Sequence, residues 1–254
     1  MVIRYFCILF ALLATTANAE HKPPDVTIYG DDNYPPILSL DARGRPGGVL
    51  SIVLDQYQKK SGHRIYVHLV PWMRAYQYAA NGQGGLIGLS KTPARMAIFD
   101  FSAPIYEDVI NVVMRRNNSF PYRTLADLNG KLIGVQLGAS YGVEADTAIT
   151  KGYFKTETSA TAQDRLKRLL LGKLDAVFIG NGALGLRHAL LSDPYLAQHQ
   201  ADFIALPTPL VRDRLYLGFR KDLHQQATLQ VFNRIVKEMQ TTGIIPLIPA
   251  LPTP

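Results

Sequence analysis

Cysteine is almost absent from this chain of 254 residues, whose single copy is Cys7. Cys7 stands inside the apolar run of residues 5–13, whereas a lipoprotein signal places its cysteine just after such a run. The sequence therefore predicts no lipid anchor. The chain beyond this run has no cysteine. Disulfides, thiolate metal sites and a cysteine nucleophile are therefore excluded from it.

Long apolar runs are missing as well. Residues 5–13 form a run shorter than the ~20 residues that a membrane-spanning helix needs. The run follows Arg4 and precedes the small-residue triplet Ala17-Asn18-Ala19, an arrangement typical of a cleaved export signal. We expect cleavage after Ala19 and a mature protein that works outside the cytoplasm, in the periplasm of a cell with two membranes.

Runs of like charge are also rare, although the net charge is +7. The basic residues are scattered, and they cluster only at residues 115–116 and on a helix face at residues 165–168. This pattern does not favour nucleic acid as a partner. It is compatible with a mild attraction to acidic solutes.

Metal and nucleotide motifs are not found. The six histidines show no paired ligand spacing, and neither HExxH nor GxxxxGK[ST] occurs. The sequence therefore predicts no metal site and no cofactor.

Short strand patterns alternate with helical patterns along the chain. Such alternation predicts α/β layers with mainly parallel sheets. It occurs in two sets, which predicts two lobes with a ligand cleft between them, near the carboxyl ends of the strands. We assign residues 20–109 and 209–254 to lobe 1 and residues 110–208 to lobe 2. The chain would cross between the lobes near residues 108–111 and 206–209, and two crossings form a hinge.

The segment Gly138-Ala139-Ser140-Tyr141-Gly142 matches G-x-S-x-G and follows a predicted strand. A serine hydrolase built on Ser140 would also need a later acid and a histidine, for which Asp193 or Asp202 and His224 have the right order. No oxyanion segment of the HGG type precedes them. A second interpretation is that residues 138–140 open a helix whose backbone N–H groups bind a carboxylate.

Residues 85–106 carry the most informative pattern. A buried strand is followed by Ser90-x-Thr92-x-x-Arg95 and then by Phe101-Ser-x-Pro-x-Tyr106. This order resembles the family 3 extracellular solute-binding proteins, the amino-acid-binding partners of ABC importers. The resemblance extends over nearly the whole mature chain, and it implies a two-lobed α/β fold of the periplasmic-binding-protein type (type II).

The resemblance also implies a ligand site. Arg95 would bind the ligand's carboxylate through two parallel hydrogen bonds, with further bonds from Ser90 in lobe 1 and Ser140 in lobe 2. Tyr34 matches a position that stacks on the ligand. Trp72 lies near another position that lines the cleft, although core packing is an equal alternative.

Two positions depart from the family pattern. The acid that holds the ligand's amino group is expected five residues after Asp175, where this chain has Gly180 followed by Asn181. A serine-rich lining before Ser90 is replaced by Ile87-Gly88. Gly88 and Asn181 would therefore line a site that keeps its carboxylate half and lacks its ammonium half. A carboxylate without an amine, an aromatic acid or a modified amino acid fits as well as a standard amino acid.

The function predicted from these residues is binding of a small carboxylate-bearing solute, by a monomer, for delivery to a membrane permease. Two alternatives stay open. One is a dehydratase-like enzyme on the same fold, with Glu107 or Asp108 as its acid. The other is a sensory binding protein that signals to a receptor.

Overall fold

The computed structural model describes residues 25–248. The predicted export signal, with Cys7 and Ala19, lies outside the described residues. Among the described residues, no helix is long and apolar enough to cross a membrane.

The chain alternates between strands and helices, as the sequence predicts. The strands are β1 (Val26–Asp31), β2 (Asn33–Tyr34), β3 (Leu38–Leu40), β4 (Pro46–Gly47), β5 (Ile65–Val70), β6 (Gly85–Ser90), β7 (Phe99–Phe101), β8 (Tyr106–Arg115), β9 (Leu132–Gln136), β10 (Lys155–Ser159), β11 (Ala176–Ile179) and β12 (Phe203–Arg220). The helices are α1 (Val49–Ser61), α2 (Trp72–Ala80), α3 (Pro93–Ile98), α4 (Gly142–Thr150), α5 (Ala162–Leu170), α6 (Gly182–Leu191), α7 (Pro194–Ala197) and α8 (Gln226–Thr241).

Local sequence explains several helix boundaries. Helix α1 ends where Gly62 takes a left-handed conformation with φ 73°, which glycine adopts without steric cost. Helix α5 begins after Thr161, whose side chain accepts a hydrogen bond from the Asp164 amide. Helix α2 spans Trp72–Ala80 and ends before Asn81-Gly82, a pair that favours a turn.

One sheet runs through both lobes, in the strand order β10-β9-β11-β8-β12-β6-β1-β5. Strands β1, β5 and β6 are parallel at one end, and β9, β10 and β11 are parallel at the other. Between the two groups, β8 and β12 pair antiparallel with each other. These two long strands therefore join the two groups of parallel strands.

The pairing of β8 with β12 is irregular at one place. Its register shifts between Ala205 and Pro209 and again between Pro209 and Val211, opposite Asn111. Proline cannot donate a ladder hydrogen bond, which explains an interruption at Pro209. The irregularity falls where the sequence places the two crossings. This position supports the lobe boundaries, which remain a prediction.

Each group of parallel strands has apolar side chains on both faces, because successive residues of a strand point to opposite sides. In β6, Ile87 packs into the cluster that contains Tyr57 and Phe232, and Leu86 packs on the other face with Phe99. In lobe 2, the consecutive residues Val177 and Phe178 of β11 belong to different clusters. Each such large side chain contributes roughly 1.5–3 kcal/mol when it is fully buried.

Candidate functional site

A cleft between the lobes has an empty volume of about 980 Å³, part of which is open to solvent. Both lobes line it. Lobe 1 contributes Asp31, Tyr34, Trp72, Gly88, Ser90 and Asp213. Lobe 2 contributes Gln136, Ser140, Tyr141, Gln163, Arg165 and Gly180. Five of the seven residues predicted from sequence are in these two sets.

Arg95 and Asn181 do not line the cavity directly. The guanidinium of Arg95 lies behind Ser90, and its Nη1 donates to the Ser90 carbonyl oxygen at 3.2 Å. Asn181 begins α6 in a left-handed conformation, and its Oδ1 accepts a hydrogen bond from the Tyr106 hydroxyl at 2.8 Å.

The spacing of Ser90, Thr92 and Arg95 has a local structural cause. Thr92 caps α3, because its hydroxyl oxygen accepts a hydrogen bond from the Arg95 amide at 3.2 Å. The cap places Arg95 in the first turn of α3, from which its side chain returns to the end of β6 at Ser90. The Arg95 guanidinium lies beside the rings of Trp72 and Tyr76, at 5.6 Å and 5.4 Å from the ring centres, and the residue is only 7% exposed.

Two donors of lobe 1 meet at one carbonyl group of lobe 2. Nη2 of Arg95 donates to the Gly138 carbonyl oxygen at 3.1 Å, and Nε1 of Trp72 donates to the same oxygen at 3.0 Å. Trp72 is therefore both a packing residue and a residue of the cleft wall. Arg95 therefore lies between the two lobes, behind the wall of the cleft.

The predicted helix opening at residues 138–140 is wrong, because α4 begins at Gly142. Asp146 explains the difference. Its carboxylate accepts hydrogen bonds from the Ser140 hydroxyl at 2.5 Å and from the Tyr141 amide at 2.8 Å, which holds these residues in a turn before the helix. Among the described residues, no histidine is hydrogen-bonded to Ser140.

The other residues of the hydrolase alternative are engaged elsewhere. Asp193 caps α7 and pairs with Lys167. Asp202 pairs with His199 at 2.9 Å. His224 is a left-handed residue that follows β12. These contacts give the hydrolase alternative no support.

Two carboxylates that the sequence argument missed line the lobe 1 side of the cleft. Burial raises the pKa of Asp31 to about 6, although hydrogen bonds from the Asn33 amide and Gln136 partly offset it. Burial likewise raises the pKa of Asp213 to about 6, although a hydrogen bond from Ser90 lowers it. Asp31 ends β1, a parallel strand, and this position at a carboxyl end was a usable signal.

Gly180 lies where the family pattern places an acid, and the space around it is filled. A Cβ atom at this position would lie 2.5 Å from the Tyr34 hydroxyl and 2.7 Å from Oδ2 of Asp108. The Tyr34 hydroxyl donates a hydrogen bond to Asp108, as does the amide of Asn181. A carboxylate of β8 thus occupies the space that a side chain at position 180 would take.

The two acids that the dehydratase alternative names lie outside the cleft lining. Asp108 is fully buried, and burial raises the pKa of its carboxyl group. Glu107 faces the surface side of β8, where its carboxylate contacts Nη1 of Arg212 at 3.2 Å. Within residues 25–248, no group of three or more potential metal ligands comes together.

A family model described as bacterial extracellular solute-binding proteins, family 3, matches residues 26–248. The chain is 24% identical over 244 residues to the arginine-binding extracellular protein ArtP of Bacillus subtilis (strain 168), an alignment that covers 93% of this chain and 90% of that protein. It is 25% identical over 177 residues to the ABC transporter arginine-binding protein 1 of Escherichia coli (strain K12), which covers 67% of this chain and 69% of that protein.

Solved structures with the same fold include a histidine kinase sensor domain with similarity to periplasmic binding proteins. Its TM-score is 0.74 at 19% identity, and the alignment covers 87% of this chain and 92% of the sensor domain. A mutant of ArgBP from T. maritima has a TM-score of 0.71 at 19% identity, and the alignment covers 86% of this chain and 90% of the ArgBP chain. An ancestral arginine-binding protein bound to arginine has a TM-score of 0.71 at 21% identity, and the alignment covers 88% of this chain and 95% of the ancestral protein. These likenesses confirm the predicted two-lobed α/β fold.

Proposed function

The chain belongs to family 3 of the bacterial extracellular solute-binding proteins, and from this membership we propose that its cleft captures a small carboxylate-bearing solute for an ABC importer. The solute is an amino acid or a close relative of one. The family consists of binding proteins, so binding without turnover is the expected activity.

The observation that supports this proposal is the position of Arg95 between the lobes. Its guanidinium is bonded to the Ser90 carbonyl of lobe 1 and the Gly138 carbonyl of lobe 2, beside a cleft that both lobes line. A solute carboxylate that reaches Arg95 would contact both lobes at once. Because such a solute binds the closed arrangement better than an open one, it shifts the population towards closure.

Asp213 gives the site a place for the solute's amino group. Its carboxylate accepts a hydrogen bond from Ser90, lies in the cleft and is close enough to Arg95 to interact electrostatically. Glycine at position 180 therefore does not remove the ammonium half of the site, because lobe 1 supplies another carboxylate. An amino acid fits this pair of charges better than a carboxylate without an amine.

The test of Arg95 combines a thermal-shift screen with calorimetry. A screen of amino acids and small carboxylates identifies the tightest probe, because a solute that binds only the folded state raises its apparent stability. We expect Arg95→Ala to weaken binding of that probe by about 2–5 kcal/mol, the cost of breaking a buried charge pair. Arg187→Ala, which removes an exposed arginine of α6, is the matched control. Equal affinities of Arg95→Ala and the wild type would contradict the role of Arg95.

The partner and the processing of the chain are part of the same proposal. We expect a monomer that presents its closed form to a permease in the membrane, after removal of residues 1–19. Mass spectrometry of the exported protein should find Glu20 as the first residue and no attached lipid. Uptake of the probe by the cognate permease and ATPase, reconstituted in vesicles, should depend on this protein, whereas a sensory role would leave uptake unaffected.

A further inference from the structure

Two arginines of α5 have different surroundings although they lie three residues apart. Arg168 faces outward, with a side chain that is 43% exposed and paired with Glu157 of β10. Arg165 faces inward and is only 5% exposed. Arg165 lines the cleft, and it is the one cationic residue among the described residues of the cavity wall.

The Arg165 guanidinium has few partners. Its Nε is buried without a hydrogen-bond partner, and its Nη1 has only the Ser159 hydroxyl, at 3.4 Å. It forms no ion pair within the part of the chain that the structure describes. Burying a cation costs free energy unless it is paired, and buried donors of purely structural arginines are nearly always satisfied. An unpaired guanidinium directed into a cleft thus indicates a partner that the solute brings.

The groups near Arg165 leave room for such a partner. Asp31 faces it from lobe 1 but is already held by Gln136, at 2.9 Å, and by the Asn33 amide, at 3.0 Å. Gln163 also lines the cleft, and its Oε1 accepts a hydrogen bond from Asn33 at 3.2 Å. The surrounding polar groups are therefore bonded to one another across the cleft and not to Arg165.

We infer that Arg165 binds a second acidic group of the solute from lobe 2, while Arg95 binds the first. This inference rests on the proposed function and narrows its substrate class to solutes with two acidic groups, such as acidic amino acids. A planar guanidinium suits a carboxylate because the two groups can form parallel hydrogen bonds. The solute then differs from arginine, whose side chain would bring a second cation towards Arg165.

The experiment compares acid and amide pairs of equal shape, namely L-glutamate with L-glutamine and L-aspartate with L-asparagine, by calorimetry. In at least one pair, the wild-type protein should bind the acid at least about tenfold more tightly than the amide, because a buried charge pair forms only with the acid. Arg165→Met should abolish this preference, and Arg165→Lys should keep part of it. Arg168→Met, on the same helix, should behave as the wild type does.

The stability of the variants separates a binding role from a structural one. Arg165→Met removes an unpaired buried cation, so the melting temperature without solute should equal or exceed that of the wild type. A clear fall in that temperature would identify a structural arginine and overturn the inference. A preference for amides in both pairs, or a preference for the acid that survives Arg165→Met, would overturn it as well and would leave the proposed function intact. If no amino acid or small carboxylate binds the wild type, both fail.

Discussion

The carboxylates of the cleft show how a single residue can carry a cost for the folded protein. Asp31 is buried, and its pKa is raised to about 6 from 3.8. A raised pKa means that the folded state binds this proton more tightly than the unfolded state. The contribution of Asp31 to stability therefore becomes unfavourable as the pH rises from about 4 through about 6.

Asp31→Asn tests this cost. Relative to the wild type, the variant should gain up to about 3 kcal/mol of unfolding free energy at neutral pH, the equivalent of two pKa units. The gain should be small near pH 4, where the folded carboxyl is protonated and the unfolded one is partly so, and it should vanish only below the unfolded pKa of 3.8. Urea unfolding at both pH values measures the difference. Asp55→Asn, at an exposed carboxylate of α1, is the control, and a gain that does not change with pH would contradict the prediction.

At the scale of an element, the junction between β11 and α6 depends on the absence of a side chain at Gly180. The Tyr34 hydroxyl and the Asp108 carboxylate fill the space where its Cβ would lie. Asp108 is buried and Tyr34 is partly buried, and they are bonded to each other, so neither can move away alone without breaking that bond. The junction is therefore fixed by strand β2, strand β8 and the turn before α6 together.

Gly180→Ala should therefore destabilise the protein by about 1–3 kcal/mol, as overpacking of a filled site does. Denaturant unfolding without solute measures the change. Gly47→Ala is the matched control, because a Cβ at Gly47 would meet only the Ser39 carbonyl oxygen, at 3.8 Å. If the two variants are equally stable, the crowding at Gly180 has no energetic consequence and the argument fails.

At the scale of the whole molecule, the two lobes touch across the cleft through polar groups. Besides the bonds of Arg95 and Trp72 to Gly138, Asn33 donates to Gln163 at 3.2 Å, and Gln136 donates to Asp31 at 2.9 Å. Such contacts link the two lobes directly. The net contribution of each such hydrogen bond is only about 0.5–1.5 kcal/mol. A few of them are therefore enough to set the balance between the open and closed forms.

Gln163→Ala should shift the protein without solute towards the open form. Trp72 is the only tryptophan and lines the cleft, so its fluorescence reports the change. Acrylamide should quench Trp72 more strongly in the variant, and small-angle scattering should give a larger radius of gyration. The tightest probe of the screen should reverse both effects. Gln198→Ala, at an exposed amide of lobe 2, is the control and should leave both values unchanged. If Gln163→Ala has the same quenching and the same radius of gyration as the wild type, the prediction is contradicted.

Local patterns predicted much of the fold. The buried strand before Ser90 was predicted from its run of apolar residues, because that signal depends on neighbouring residues alone, whereas the cap that Thr92 forms for α3 is seen only in the structure. Gly62 explains the end of α1 by an equally local effect. Strand β10, by contrast, was missed, because Lys155–Ser159 is largely polar and pairs with β9 at the edge of the sheet.

The family, the two lobes and the position of Arg95 five residues after the end of β6 were thus determined by the sequence itself, since motifs and short-range spacing encode them. The charges of the cleft were decided by tertiary structure. Asp31, Asp213 and Arg165 are 48 residues or more apart in the chain, and only the packing of the lobes brings them to one cavity. Burial then shifts their pKa values and leaves Arg165 without an ion pair among the described residues. Burial and pairing depend on what lies across the cleft, which no local pattern specifies.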